Sequence, residues 1–327
     1  MNFVPGETGH PKESWDTRVV AKTRQPPRTR IIVKDLGREV LYFENTGQMV
    51  SAMADAAEAH QQLYEKAAIL HGNIGVGNIF ITSNAAVYSS IRIRNWDCQF
   101  VKRYDYDSKP SHGTLQFMSA MLQDTLTPPP LSLADDLESF YHVLTWLALR
   151  FTRHQLSTTS LSALIKEIFD EDEYSYHYDR YMGGRGKRRH LSIGDMDDVK
   201  FADRELAELL DDLADVLRVR YQSEPSDEQV RAFEDKKVLL AKELERARLS
   251  PDAKMPYDEL REIFDWVLKS ERVGKYREST ERLRTSDWMR DRFRDTARLS
   301  GEMLEERVEH KLVEVVRIRR YNRYCLY

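Results

Sequence analysis

TPPPLSLADDLESFYHVLTWLALRF, residues 127–151, constrains the fold of this 327-residue chain more than any other stretch. The prolines at 128–130 end whatever precedes them, because proline lacks a donor N–H and disfavours helix in the residue before it. Asp135 or Asp136 can then cap a helix start. Leu137, Phe140, Val143, Leu144, Leu147 and Ala148 follow at helical period. Tyr141, Trp146 and Leu149 fill most of the remaining circumference. A helix that is apolar almost all round has to be enclosed by protein. The sequence therefore predicts a domain wrapped around one central buried helix.

The segments around it supply the wrapping. MVSAMADAAEAHQQLYEKAAIL (49–70) places Met49, Met53, Ala56, Ala57 and Leu63 at spacings of a helix face. LSALIKEIF (161–169) and ADRELAELLDDLADVLRVRY (202–221) are amphipathic helices. In PYDELREIFDWVLKS (256–270), Leu260, Ile263, Phe264, Val267 and Leu268 form a stripe. DEQVRAFEDKKVLLAKELERARL (227–249) and the tail 279–320 read as highly charged helices. The tail carries a sparse seam, Leu304, Val308, Leu312 and Val315, suited to a partner helix or to packing on the same chain. Strand signals are few. IIV and VLYF flank a DLG turn in RIIVKDLGREVLYF (30–43), and IFIT and IRIRNWD follow. EDEYSYHYDRYMGGRGKRRH (171–190) reads as a loop with an acidic, tyrosine-rich half and a basic, solvated half. Residues 1–28 read as a flexible leader. The expected fold is mainly α with a few short β-strands.

Charge and cysteine content exclude several function classes. The 50 basic and 54 acidic residues leave a net charge of −4, which predicts no nucleic-acid or membrane-surface binder. No apolar run reaches the 18 residues of a membrane span, and the N-terminus lacks the apolar core of a secretory signal. Cys98 and Cys325 provide neither a disulfide framework nor a zinc site. The expected location is intracellular, cytoplasmic or nuclear.

The chemistry-bearing residues form an ordered series. His71-Gly72-Asn73 is followed, after four residues, by Asn78. A strand then ends in Asn95-Trp96-Asp97. Gly113-Thr114 makes a turn, and the buried helix opens with two aspartates. A kinase C-terminal lobe has the same order: H-R-D-x-x-x-x-N, D-F-G, activation segment, helix.

The chain resembles the fungal-type protein kinase family over residues 30 to 270. AAILHGNIGVGNIFI (67–81), RIRNWDCQF (92–100), GTLQFMSAML (113–122), DDLESFYHVLTWLALRF (135–151) and GGRGK (183–187) carry the resemblance. It implies a protein-kinase-like C-terminal lobe over 29–275, with the N-lobe largely absent and a charged helical extension over 276–327. In that pattern His71 is a structural histidine of the loop. Asp136 braces the loop backbone, and Gly113 and Thr114 belong to the end of the activation segment. Asn78 corresponds to a metal ligand.

Departures from the pattern point to lost catalysis. Asn73 stands where the catalytic aspartate accepts the substrate proton. Loss of such a group costs roughly 10²–10⁴ in rate. Asn95 stands at the metal-binding aspartate, and amide oxygens suit Mg²⁺ poorly; a slip of one or two residues makes Asp97 the ligand instead. The lysine strand and glycine-rich loop of a nucleotide-clamping lobe are not recognisable, and Met121 replaces the glutamate that usually ends the activation segment. The resemblance thus implies a pseudokinase and protein-interaction module with no cofactor, no confident metal site, and protein partners contacted in part by the tail. The alternative is an active kinase with Mg-ATP bound through Asn78, Asn95 or Asp97.

Overall fold

The structure, a computed structural model, describes residues 37–81, 115–177, 180–194, 199–249, 255–299, 306–310 and 312. All fall within one compact unit, Leu36–Tyr327. Ten α-helices and four short strands make up the described residues. The helices are α1 Thr46–Ala67, α2 Ala120–Gln123, α3 Leu133–Phe151, α4 Thr158–Phe169, α5 Arg185–Ile193, α6 Arg204–Arg218, α7 Asp227–Leu249, α8 Tyr257–Ser270, α9 Arg272–Arg282 and α10 Asp287–Leu299. The strands pair in two antiparallel ladders, β1 Arg38–Glu39 with β2 Phe80–Ile81, and β3 Asp172–Ser175 with β4 Arg180–Gly183. No described helix is long and apolar enough to cross a membrane.

Helix α3 is the centre. Every residue from Leu133 to Phe151 except Ala134 is buried. Its start is set locally: the Asp135 carboxylate accepts from the Ser132 N–H at 2.8 Å and from the Ser132 hydroxyl at 2.7 Å, which closes the orphan donors of the first turn. Phe140, Leu144, Leu147 and Phe151 are each at most 1% exposed. Full burial of such a side chain contributes about 1.5–3 kcal/mol. Helices α1, α4 and α6 pack directly on α3. Helix α10 lies along α1 and delivers Met289 and Phe293, both 0% exposed, into the core.

Four local expectations fail. VLYF is no strand: Val40–Tyr42 form a 3-10 turn, with the Val40 N–H donating to Ile79 O at 2.8 Å. Val40, Leu41 and Phe43 are all buried while Tyr42 is exposed, a pattern that the strict alternation of a strand cannot give. Residues 171–190 are not a loop but the β3–β4 hairpin followed by helix α5. The α8 stripe is not core. Helix α8 has no buried residue, and Ile263 is exposed, because α8 packs on its neighbours α7 and α9 rather than on α3. The tail seam does not form a continuous helix either. Residues 306–310 are extended along the end of α3, where Val308 N–H donates to Phe151 O at 2.9 Å and His310 N–H to Arg150 O at 3.1 Å. Leu304 and Val315 lie outside the described residues.

Helix α1 ends at Ala68, the one described non-glycine residue with positive φ, at +51°. A left-handed alanine carries a steric penalty that glycine lacks. Ala68→Gly is expected to raise stability by about 1 kcal/mol, read as an increased urea midpoint with an unchanged slope.

Candidate functional site

Loop 70–79 is pinned by its own apolar residues. Leu70, Ile74, Val76 and Ile79 are buried, and His71 and Asn78 are buried between them. Gly72 sits at φ +68°, and a Cβ there would approach the Leu131 Cδ2 to 3.1 Å, so this position requires glycine. Gly75 and Gly77 do not adopt positive φ. The Asn78 N–H donates to Gly75 O at 2.9 Å and closes the turn. The Asn78 amide Nδ2 donates to the Asn73 carbonyl at 2.7 Å. The Asn73 N–H donates to His71 Nδ1 at 3.1 Å, so the histidine ring supports the loop from beneath.

Asp136 ties this loop to α3. Its Oδ2 accepts the His71 N–H at 2.7 Å and its Oδ1 the Gly72 N–H at 2.9 Å. His60, on α1, donates from Nε2 to the same carboxylate at 2.9 Å. Burial pushes the Asp136 carboxyl up. The hydrogen bond and charge of His60, the charge of His71 and the Gly72 N–H outweigh it and hold the group below its ordinary range. An ionised carboxylate with three donors is a rigid anchor for two consecutive peptide units.

Within this loop the side chains at the two chemically sensitive positions are the amides Asn73 and Asn78. Among the described residues no group of three His, Cys, Asp or Glu side chains could hold a metal ion. Asn78 alone is a poor fit to Mg²⁺, which prefers hard anionic oxygens. Asn95, Asp97, Gly113, Thr114 and Cys98 lie outside the described residues.

Beside the Asp136 anchor lies a second buried cluster that sequence reasoning missed. Glu138, 0% exposed, accepts the Ala120 N–H at 2.7 Å and lies 3.2 Å from His142 Nε2. The Tyr221 hydroxyl is 2.7 Å from both of its oxygens, and Arg220 pairs with it. Arg220 also pairs with Asp135, which accepts the Ser119 hydroxyl at 2.7 Å. Burial pushes Glu138 up, but Arg220, His142 and Tyr221 outweigh it and bring the carboxyl down to about 2. Burial pushes the His142 imidazole down and the Tyr221 phenol up. Glu138, from α3, therefore holds the backbone at Ala120. An acidic run at the start of an apolar helix was the available signal.

Lys187 holds the same segment from the other side. This side chain is 1% exposed, and its Nζ donates to Leu115 O at 2.7 Å, Met118 O at 2.9 Å and Gln123 Oε1 at 2.8 Å. Gly186 lets α5 approach α4, since a Cβ there would fall 2.1 Å from Glu167 O. The rest of the basic run is paired within the chain, Arg185 with Glu171 at 3.2 Å, Arg188 with Asp124 at 2.6 Å and Arg189 with Glu167 at 3.0 Å. Lys187 and Arg188 thus clamp residues 115–124 from a helix rather than a loop, while Arg185 and Arg189 stay largely exposed.

The fungal protein kinase family model matches residues 8–148. Over these residues the chain is similar to the fungal protein kinase family. The match begins inside the segment read as a leader and takes in α1, the His71–Asn78 loop and most of α3. It stops short of Lys187 and Arg220. The mainly helical architecture with few short strands agrees with a kinase-like fold rich in C-lobe. No curated protein and no solved structure matches the chain.

Two outcomes follow from these buried clusters. Lys187→Met strands three buried acceptors and is expected to cost about 2–3 kcal/mol, read by urea unfolding. Glu138→Gln leaves Arg220 without one carboxylate and is expected to cost about 3–5 kcal/mol at pH 7. The folded pKa of Glu138 lies below its unfolded value of 4.5. Its contribution is complete above pH 4.5 and is lost as pH falls toward 2, since protonation then favours the unfolded chain. The gap between the parent and Glu138→Gln should therefore narrow between pH 4.5 and pH 2, measured as unfolding free energy against pH.

Proposed function

We propose that this chain is a pseudokinase, a kinase C-lobe that carries out no phosphoryl transfer and serves as a protein-interaction module. The observation that carries the reading is Asn73. The loop around it is held by the buried bonds from Asp136, His71 and Asn78, while the side chain at the proton-accepting position is an amide with no useful basicity. Architecture is kept and the acid–base group is not. Asn95, read at the metal-binding position, removes the second carboxylate. Partners are proteins, contacted through the surfaces that kinases present to substrates and through the helical tail. The reading includes no nucleic acid and no membrane.

A second reading has one observation in its favour. Asn78 stands in place in the loop, with its amide nitrogen on the Asn73 carbonyl, which leaves its oxygen for a ligand. With Asp97 as the metal ligand and further sequence upstream, the chain is then an active kinase using Mg-ATP.

Thermal unfolding with and without ATP, in Mg²⁺, Mn²⁺ or EDTA, separates the two. A ligand at one hundred times its dissociation constant stabilises by about 2.7 kcal/mol. The pseudokinase reading expects no metal-dependent shift and no phosphate transfer to a generic substrate. Transfer that disappears in Asn78→Ala would overturn it. A shift without transfer adds nucleotide as a structural ligand and leaves the module in place.

A further inference from the structure

Ser286 precedes α10, at the turn from α9, and is 0% exposed. It is more than two hundred residues from loop 70–79 in sequence, yet two side chains, His60 and Asp136, connect the two. His60 lies 3.3 Å from Ser286 Oγ through Nδ1 and 2.9 Å from Asp136 Oδ2 through Nε2. Asp136 is ionised and can only accept, so His60 Nε2 carries a proton. Nδ1 meets the Ser286 hydroxyl, which can donate to a neutral ring or accept from a charged one. Asp136 then receives the His71 and Gly72 N–H groups of the loop. The serine is itself fixed, because its N–H donates to Gln61 Oε1 at 2.7 Å. Phe140 meets the His60 ring edge-on at 5.7 Å, which keeps the imidazole in this orientation. All three side chains are at most 1% exposed. Water therefore does not compete for these bonds, and loss of one is felt by the next.

We propose that Ser286 and His60 are positioning residues for loop 70–78, and that through them the seating of α10 on α1 is coupled to the geometry of that loop. Packing alone does not make this link. Met289 and Phe293 hold α10 against α1, whereas Ser286 carries a hydrogen-bonded path from the turn before α10 to the backbone of His71 and Gly72. The coupling holds whichever chemistry the loop retains. It gives a partner that grips the C-terminal helices a route to the loop.

Native-state hydrogen exchange on the full chain tests this. Ser286→Ala is expected to speed exchange at the His71 and Gly72 amides about tenfold, the effect of losing one ordinary buried hydrogen bond, with the amides of α6 unchanged. Asp136→Asn should act in reverse and speed exchange at the Ser286 and Arg290 amides. Thr296→Ala is the control. Thr296 is equally buried on α10 and accepts only from Arg292, at 3.0 Å, so it should loosen α10 and leave His71 and Gly72 unchanged. Unchanged loop exchange in Ser286→Ala overturns the proposal. So does a Thr296→Ala variant that speeds the loop as much as Ser286→Ala, since that effect would be general loosening.

Discussion

Three carboxylates at the start of α3 organise this protein. Asp135, Asp136 and Glu138 are each at most 2% exposed, and an unpaired charge at such a site costs several kcal/mol. Each is satisfied by groups from distant parts of the chain, with Arg220 shared between Asp135 and Glu138. Asp136 takes donors from α1 and the loop, Asp135 from Ser119, Ser132 and Arg220, and Glu138 from Ala120, Tyr221, His142 and Arg220. The positive end of the helix dipole favours Asp135 and Asp136, in the first turn. None of the tethered segments can drift without stranding a buried charge, so the electrostatics of one helix turn fix the relative positions of α1, loop 70–79, segment 115–124 and the residues after α6.

A second consequence concerns where this molecule is rigid. Segment 115–124 is held by Glu138 on one side and Lys187 on the other, and the basic run after Gly184 is engaged in pairing within the chain. The α7–α8 pair is different. Only Phe233 on α7 is buried, and Trp266 on α8 is 69% exposed. Free energy is concentrated around α3 and thins toward these two helices, which is where local opening is cheapest.

The sequence made α3 legible because an apolar circumference leaves a helix only one environment. It made α1, α4 and α6 legible because each has one apolar face to bury. Asp136 was legible through its place in an ordered motif, although His60 was not, since a histidine on a helix carries no mark of its partner. The failures share a cause. VLYF has strand composition, but consecutive burial of Val40 and Leu41 turned it into a 3-10 turn. The α8 stripe is periodic, but periodicity shows that a face is apolar and not what covers it. Lys187 looked like a solvated charge within a basic run, and only the approach of α5 to α4 across Gly186 buried it.

The sequence by itself determined that α1, α3, α4, α6, α7 and α8 become helices, the order of the loop motif and the amide at position 73, because these depend on local period and side-chain chemistry. Tertiary structure alone decided which distant groups meet the carboxylates of α3. Arg220, Lys187 and Ser286 lie far from their partners in sequence, and no local preference encodes such pairings. They arise when burial removes water and every charge and donor has to find what remains within reach.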